Sequence, residues 1–134
     1  MIYDCRDKFE PINDAQIAFE EFIRLQDQVK KALLYNINTH DPVHIWQGIF
    51  EGTFDFYVGE KSMAVAELLL TPKCKIYQCF LIAGEMAEVQ RIIELGKQTA
   101  IRRDADFLQC IGRKGWSKVL QQFELNSYIY TTEA

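Results

Sequence analysis

The chain has 134 residues, of which 49% are hydrophobic and 25% charged, a balance that is typical of one globular domain and argues against disorder. A net charge of −4 disfavours nucleic acid or an anionic membrane as the main partner. Because it has neither an apolar run of the roughly 20 residues that a spanning helix needs nor a signal peptide, we expect a single cytoplasmic domain over residues 1–134.

The N-terminal part of the chain predicts two helices after an extended or irregular lead-in. From Ala15 to about Tyr35, apolar residues recur at three- and four-residue steps, which is the pattern of one amphipathic helix. A second helix should begin at Asp41, a good N-cap residue, with Pro42 at its first position. Gly52 should end it.

Three apolar runs of strand length follow, separated by Gly and Pro residues. They are Phe54–Val58, Met63–Leu70 and Ile76–Ile82. This spacing predicts an antiparallel meander. The second and third runs are apolar at nearly every position, so helices should cover both faces of the sheet.

The last third of the chain predicts a long helix from Glu85, a strand at Phe107–Ile111, a short helix that contains Trp116, and a closing strand at Asn126–Thr132. Gly96 lies on the apolar face of the long helix, where it costs about 1 kcal/mol relative to alanine. We therefore expect the helix to approach the sheet closely there. The whole order of elements indicates an α+β fold.

This order resembles the N-acetyltransferase (GNAT) fold, and two stretches resemble small phage- and prophage-encoded GNAT-like proteins, some of them virion-associated. The first is Phe-Tyr-Val-Gly-Glu-Lys-Ser-Met-Ala-Val-Ala-Glu at residues 56–67, with the apolar strand after it. The second is Cys-Ile-Gly-Arg-Lys-Gly-Trp-Ser-Lys-Val-Leu at residues 110–120. The resemblance covers about residues 41–130 and implies a GNAT-like mixed, mostly antiparallel sheet with helices on both faces.

Active GNAT enzymes hold the coenzyme A pyrophosphate with backbone amides in a basic, glycine-rich turn before the central helix, a typical anion-binding arrangement. The matching turn here is Gly84-Glu85-Met86, with a second carboxylate at Glu88. A pyrophosphate would meet like charge there. The short helix also lacks the tyrosine that usually acts as general acid. We therefore expect no cofactor. If the chain is nevertheless an enzyme, Gly84, Glu85 and Met86 would bind acetyl-coenzyme A.

Two residue sets admit both a functional and a structural interpretation. Glu67 matches a strand glutamate that is often the general base in GNAT enzymes, and partial burial would raise its pKa; alternatively it pairs with a lysine at the strand edge. The turn with Arg113, Lys114 and Trp116 could bind an acidic protein surface, or be a solvated turn with Trp116 in the core.

Histidine and cysteine positions predict no metal site. His40 and His44 are four apart, but His40 precedes the helix, so the two do not share a face as in an HExxH motif. The chain also lacks a CxxC motif. The cysteines are expected to be free thiols, with Cys79 and Cys110 in strands and buried.

Two functional hypotheses follow from the resemblance. The first is a phage-type GNAT-fold protein without acetyltransferase activity, which serves as a structural or protein-interaction component of the virion or its assembly. It would act in the host cytoplasm or within the virion. The second is an acetyl-coenzyme-A-dependent N-acetyltransferase with Glu67 as its base. The acidic turn after Gly84 favours the first.

Overall fold

The computed structural model describes residues 1–112, 114–118, 120–125 and 129–134. The helices are α1 (Ala15–Arg24), α2 (Gln26–Tyr35), α3 (Pro42–Glu51) and α4 (Met86–Arg102), and a 3-10 helix follows at Lys114–Lys118. The strands are β1 (Ile2–Asp4), β2 (Glu10–Pro11), β3 (Phe54–Val58), β4 (Met63–Leu70), β5 (Lys75–Ala83) and β6 (Phe107–Cys110). The predicted α+β class is confirmed.

The six strands form one mixed sheet in the order β2-β1-β3-β4-β5-β6. The predicted antiparallel meander β3-β4-β5 is confirmed, and β1 and β2 are also antiparallel. However, β1 runs parallel to β3 and β6 runs parallel to β5. The expectation of a mostly antiparallel sheet is therefore wrong, because two of its five strand junctions are parallel.

Helices cover both faces of the sheet, as predicted. Helices α1, α2 and α3 pack on one face, where Phe22, Val29 and Ile45 meet Phe56 and Val65. Helix α4 packs on the other face, in a second cluster built around residues that include Tyr57, Tyr77, Val89 and Ile92. Successive residues of β3 point to opposite faces, so its apolar side chains contribute to both clusters.

The N-terminal helical segment is two helices, not the single helix predicted from Ala15 to Tyr35. The backbone bends at Leu25, where φ is −97° and ψ is 10°. Helical hydrogen bonds nevertheless continue across the bend, from the Leu25 amide to the Glu21 carbonyl and from the Val29 amide to the Leu25 carbonyl. The apolar periodicity is therefore uninterrupted, which is why the sequence pattern does not reveal the bend.

Local sequence features place the ends of α3 correctly. Pro42 is its first residue, the amide of the N-cap residue Asp41 donates to the His44 ring at 2.9 Å, and Gly52 ends the helix in the left-handed conformation, with φ of 83°. The predicted strand near Phe107 is confirmed as β6. Of the predicted closing strand, residues 126–128 lie outside the described ranges and residues 129–132 have no strand conformation.

Strand β4 pairs with β5 irregularly. Val65 pairs with Leu81 and Ala66 pairs with Cys79, so Phe80 is an extra residue between them, as in a β-bulge. Phe80 and Leu81 consequently both pack into the cluster on the α1–α3 face.

The expected close approach of α4 to the sheet at Gly96 is wrong. A Cβ atom built on Gly96 meets no atom within 4 Å, and the residue lines a small apolar cavity together with Tyr57, Ile93 and Leu108. Gly96 therefore faces a cavity in the core and is not in close contact with the sheet.

Replacing Gly96 with alanine should therefore stabilise the protein by about 1 kcal/mol, because alanine has the better helix propensity and the added methyl group fits the cavity. Urea unfolding measures the change. Gly48→Ala in α3 is the matched control: its Cβ would lie 2.2 Å from the Phe54 ring, so this variant should be destabilised. A loss of stability in Gly96→Ala would contradict the open space at α4.

Candidate functional site

The turn between β5 and α4, where a GNAT enzyme would hold its coenzyme, packs against the turn between β3 and β4. The Glu85 amide donates to the Ser62 hydroxyl at 2.8 Å. The Glu88 carboxylate accepts from the amides of Glu60 at 2.6 Å and Lys61 at 2.9 Å. The amide of the N-cap residue Glu85 and the Glu88 carboxylate are thus already engaged with protein groups.

Gly84 and Ser62 are too close for any side chain at position 84. A Cβ on Gly84 would lie 2.1 Å from the Ser62 hydroxyl, and φ is 129°, a conformation that favours glycine. Ser62 is fully buried. The glycine is therefore explained by packing between the two turns, without any ligand. Met86, the third residue of the predicted cradle, is 43% exposed.

The β3–β4 turn is also fixed from α1 and α2. Arg24 donates to the carbonyls of Gly59 at 2.7 Å and Glu60 at 2.5 Å. Gln28 donates to the Lys61 carbonyl at 2.9 Å. Displacing this turn to admit a ligand would break hydrogen bonds to two helices.

The start of α4 carries negative charge from two carboxylates. Burial raises the pKa of Glu88, but hydrogen bonds from Ser62 and from the amides of Lys61 and Glu60 outweigh it and lower that pKa overall. Glu88 is therefore ionised at neutral pH and satisfies the positive end of the helix dipole. Glu85 adds a second carboxylate, 3.6 Å from the Lys61 ammonium in an exposed pair, which contributes little to stability.

Glu67 lies in β4, where it pairs with Phe54 of β3 and with Gln78 of β5. Strand alternation from Met63 and Val65 places it on the α1–α3 face of the sheet. Burial raises its pKa, and the nearby charge of His40 lowers it to a smaller extent.

The surroundings of Glu67 combine polar and aromatic groups. Gln78 donates to the Gln109 side chain at 3.4 Å. The His40 ring lies 6.2 Å from the rings of both Phe54 and Phe80. Among the described side chains no lysine or arginine forms an ion pair with Glu67. A carboxyl group in this setting can exchange a proton with a bound amine.

A cleft opens beside Phe80, where the pairing of β5 and β6 ends. The last register pair is Cys79 with Cys110, and the Ile111 amide donates to the Cys79 carbonyl just beyond it. Strand β5 continues to Ala83. Residues from α2, β5 and the segment after β6 line the cleft, among them Ala32, Tyr35, Leu81, Ile82, Ile111 and Trp116.

The predicted interaction turn is described in part. Arg113 and the side chain of Lys114 lie outside the described ranges. Trp116 is buried, with 6% of its surface exposed, and packs into the cluster on the α4 face. A Cβ on Gly112 would lie 3.0 Å from the Trp116 ring. The glycine thus lets the chain pass close to the indole, as expected if Trp116 anchors the turn.

Sequence reasoning missed a buried polar network around Asp55. Its carboxylate accepts from the Tyr77 hydroxyl at 2.5 Å and from Arg103 at 2.9 Å, and the α-amino group of Met1 lies 3.2 Å away. The hydroxyls of Tyr57 and Tyr77 are 2.7 Å apart. Burial is the main reason that the pKa of Tyr77 is raised. The sequence signal for this network was a charged residue, Asp55, within the otherwise apolar strand segment Phe-Asp-Phe-Tyr-Val.

Sequence reasoning also missed an exposed apolar surface between α1 and α3. This α1–α3 surface consists of Phe19, Ile23, Val43, Trp46 and Phe50. The half-buried Trp46 contacts Phe19, with ring centroids 5.2 Å apart, and Phe50 is 78% exposed. Clustered exposed apolar residues are typical of protein-interaction sites.

Two further classes of site find no support in the described ranges. No three His, Cys, Asp or Glu side chains there lie close enough together to hold a metal ion. No helix there is both long enough and apolar enough to cross a membrane.

Neither models of known protein families nor curated proteins match the chain. Among solved structures, the chain is similar to the TTHA1254 protein from Thermus thermophilus. The TM-score is 0.47 with 12% identity for the wild-type protein and 0.49 with 11% identity for a point mutant. The match covers 55% of this chain and 62% of that chain. At this level the similarity assigns neither a family nor a function.

Proposed function

We propose that this protein is a GNAT-like component that associates with other proteins and does not transfer acetyl groups. The resemblance of residues 56–67 and 110–120 to phage-encoded proteins suggests the virion or its assembly as the setting. The observation that carries the proposal is the packing of the α4 start against the β3–β4 turn. The Glu85 amide there is bound to Ser62, and the Glu88 carboxylate is bound to the β3–β4 turn.

A pyrophosphate binds where backbone amides and a positive potential face solvent at a helix start. At α4 the ligand would have to displace the hydroxyl of Ser62 and would lie close to two carboxylates. Each broken hydrogen bond costs about 1 kcal/mol, and the like charges add repulsion. The net result is a poor anion site.

Acetyl-coenzyme A should therefore show no measurable binding at physiological salt. Isothermal titration calorimetry of the purified protein tests this directly. A micromolar dissociation constant, equivalent to about 8 kcal/mol, would overturn the proposal. A Glu85→Gln, Glu88→Gln variant provides a control: weak binding gained only by this variant would identify the carboxylates as the obstacle.

Association should depend on the α1–α3 surface, and the partner we propose is a protein that presents a complementary apolar patch. Buried aromatic residues contribute most of the free energy in such interfaces. Arg113 and Lys114 would add a salt-dependent attraction to acidic groups of that partner. The two contributions are separable, because apolar contacts respond weakly to ionic strength.

Phe50→Asp should weaken co-sedimentation with virus particles from the source cells by at least about tenfold, the effect of 1.4 kcal/mol. Leu70→Asp is the matched control, since Leu70 is similarly exposed, at 72%, but lies at the end of β4. Both variants should fold normally. Reversing Arg113 and Lys114 to glutamate should weaken association more at low salt than at high salt. Unchanged co-sedimentation of Phe50→Asp would remove the α1–α3 surface from the proposal.

An acetyl-coenzyme-A-dependent N-acetyltransferase is the second candidate. The observation in its favour is Glu67, a carboxyl group with a raised pKa on the sheet face to which Phe80, a residue of the cleft lining, also contributes. If amine acetylation is detected, Glu67→Gln should abolish it and leave particle association intact. Loss of that activity, together with unchanged association when Arg113 and Lys114 are both reversed to glutamate, would favour the enzyme over the interaction protein.

A further inference from the structure

Two cysteines face each other across the junction of β5 and β6. Cys79 and Cys110 are register partners in neighbouring parallel strands, so their side chains lie on the same face of the sheet. Both line the apolar cavity under α4. The Cys79 thiol donates to the Leu81 carbonyl at 3.7 Å, and both cysteines are free in the structure.

From this juxtaposition we propose that Cys79 and Cys110 are a modification site, at which peroxide oxidation forms a reversible disulfide between β5 and β6. Neighbouring strands are about 4.8 Å apart, and a disulfide requires Cα atoms about 4.4–6.8 Å apart. The backbone spacing therefore suits the bond. The inference is independent of the proposed function.

The two thiols differ in accessibility, which sets the order of the reaction. Cys110 is half-buried, whereas Cys79 is buried, and contact with Cys110, together with burial, raises the pKa of Cys79. Cys110 is thus the thiol that meets peroxide first.

The reaction balances in two steps. In the first, the Cys110 sulfur attacks hydrogen peroxide, the O–O bond breaks, and Cys110 sulfenic acid and water form. In the second, the Cys79 sulfur attacks the Cys110 sulfur. The S–S bond forms, the S–O bond breaks, and the departing hydroxide takes the Cys79 proton to give a second water. Two thiols lose two electrons, and one peroxide gains them.

The other two cysteines have different settings. Burial, the largest influence, raises the pKa of Cys5 to about 12, so its thiol is protonated and unreactive. Cys74 lies in the β4–β5 turn, 3.3 Å from the Thr71 hydroxyl. Cys74 is partly exposed, as Cys110 is, and therefore provides the matched control.

The experiment treats the reduced, full-length protein with hydrogen peroxide, blocks the remaining thiols with N-ethylmaleimide, and maps the peptides by mass spectrometry. We expect a Cys79–Cys110 linked peptide that disappears after dithiothreitol, and the same yield at low and high protein concentration. Cys74→Ser should keep the link, whereas Cys110→Ser should lose it.

Several outcomes would overturn the proposal. The first is that all four cysteines can still be alkylated after denaturation, and the second is a disulfide between Cys110 and Cys74. The third is a disulfide that forms only between two copies of the protein. The fourth is oxidation of Cys110 to sulfinic acid while Cys79 stays reduced. Because the decisive peptide is sought in the unmodified sequence, the test does not depend on a serine variant that folds.

Discussion

Replacing Asp55 with alanine is expected to reduce the free energy of unfolding by about 3 kcal/mol, because it removes a buried carboxylate that accepts several hydrogen bonds, and bonds of this charged kind contribute about 1.5–3 kcal/mol each. Asp55 is 3% exposed, and its carboxylate accepts from Tyr77 and Arg103. Alanine would leave the guanidinium without its counter-charge and the Tyr77 hydroxyl without this acceptor. Urea-induced unfolding followed by circular dichroism measures the loss.

Asparagine at position 55 separates charge from hydrogen bonding. Asp55→Asn keeps an acceptor for the Tyr77 hydroxyl but removes the charge that faces Arg103. Its free energy of unfolding should therefore lie between that of the wild type and that of Asp55→Ala. Tyr77→Phe should cost less than Asp55→Ala, because it removes a neutral donor. If the free energy of unfolding of Asp55→Ala is within about 0.5 kcal/mol of the wild-type value, as for neutral surface substitutions, the network does not stabilise the fold.

Trp116→Ala should have an effect of similar size, about 3–5 kcal/mol, because a buried aromatic side chain leaves a cavity when it is truncated. Trp116 is 6% exposed and packs in the cluster that also contains Tyr77 and Ile92. At roughly 3–5 °C per kcal/mol for a domain of this size, the thermal midpoint should fall by at least about 9 °C. Differential scanning calorimetry measures this shift.

Trp46→Ala is the matched comparison for Trp116. Trp46 is only partly buried, on the opposite face of the sheet, so its truncation should cost less. A thermal midpoint that does not change in Trp116→Ala would mean that the indole is exposed in solution. Trp116 would then belong to the interaction turn with Arg113 and Lys114.

Features encoded by neighbouring residues could be predicted from the sequence. The ends of α3 depend on Asp41, Pro42 and Gly52, which act within one turn of their own positions. The strands of the meander are identifiable from their apolar runs. Strand β1 could not be predicted in this way, because three residues carry little pattern and their partner is β3, far along the chain.

The candidate site could be predicted only in part, for a similar reason. The acidic character of the α4 start was apparent from Glu85 and Glu88, but their contacts with Ser62 and the β3–β4 turn depend on tertiary packing. The prediction of a close helix–sheet contact at Gly96 failed for a related reason. A glycine on the apolar face of a helix looks the same in the sequence whether it packs against a neighbouring backbone or lines a cavity.

The parallel pairing of β1 with β3 has a consequence for the order of folding. Met1 and Asp55 are 54 positions apart in the chain, whereas the strands of the meander are joined by short turns. Closing a long loop costs more conformational entropy than closing a short one and is therefore slower. The meander should therefore acquire protection from hydrogen exchange early in refolding. Strand β1, and with it the ion pairs of Asp55, should form late, after α1, α2 and α3 have packed on the sheet.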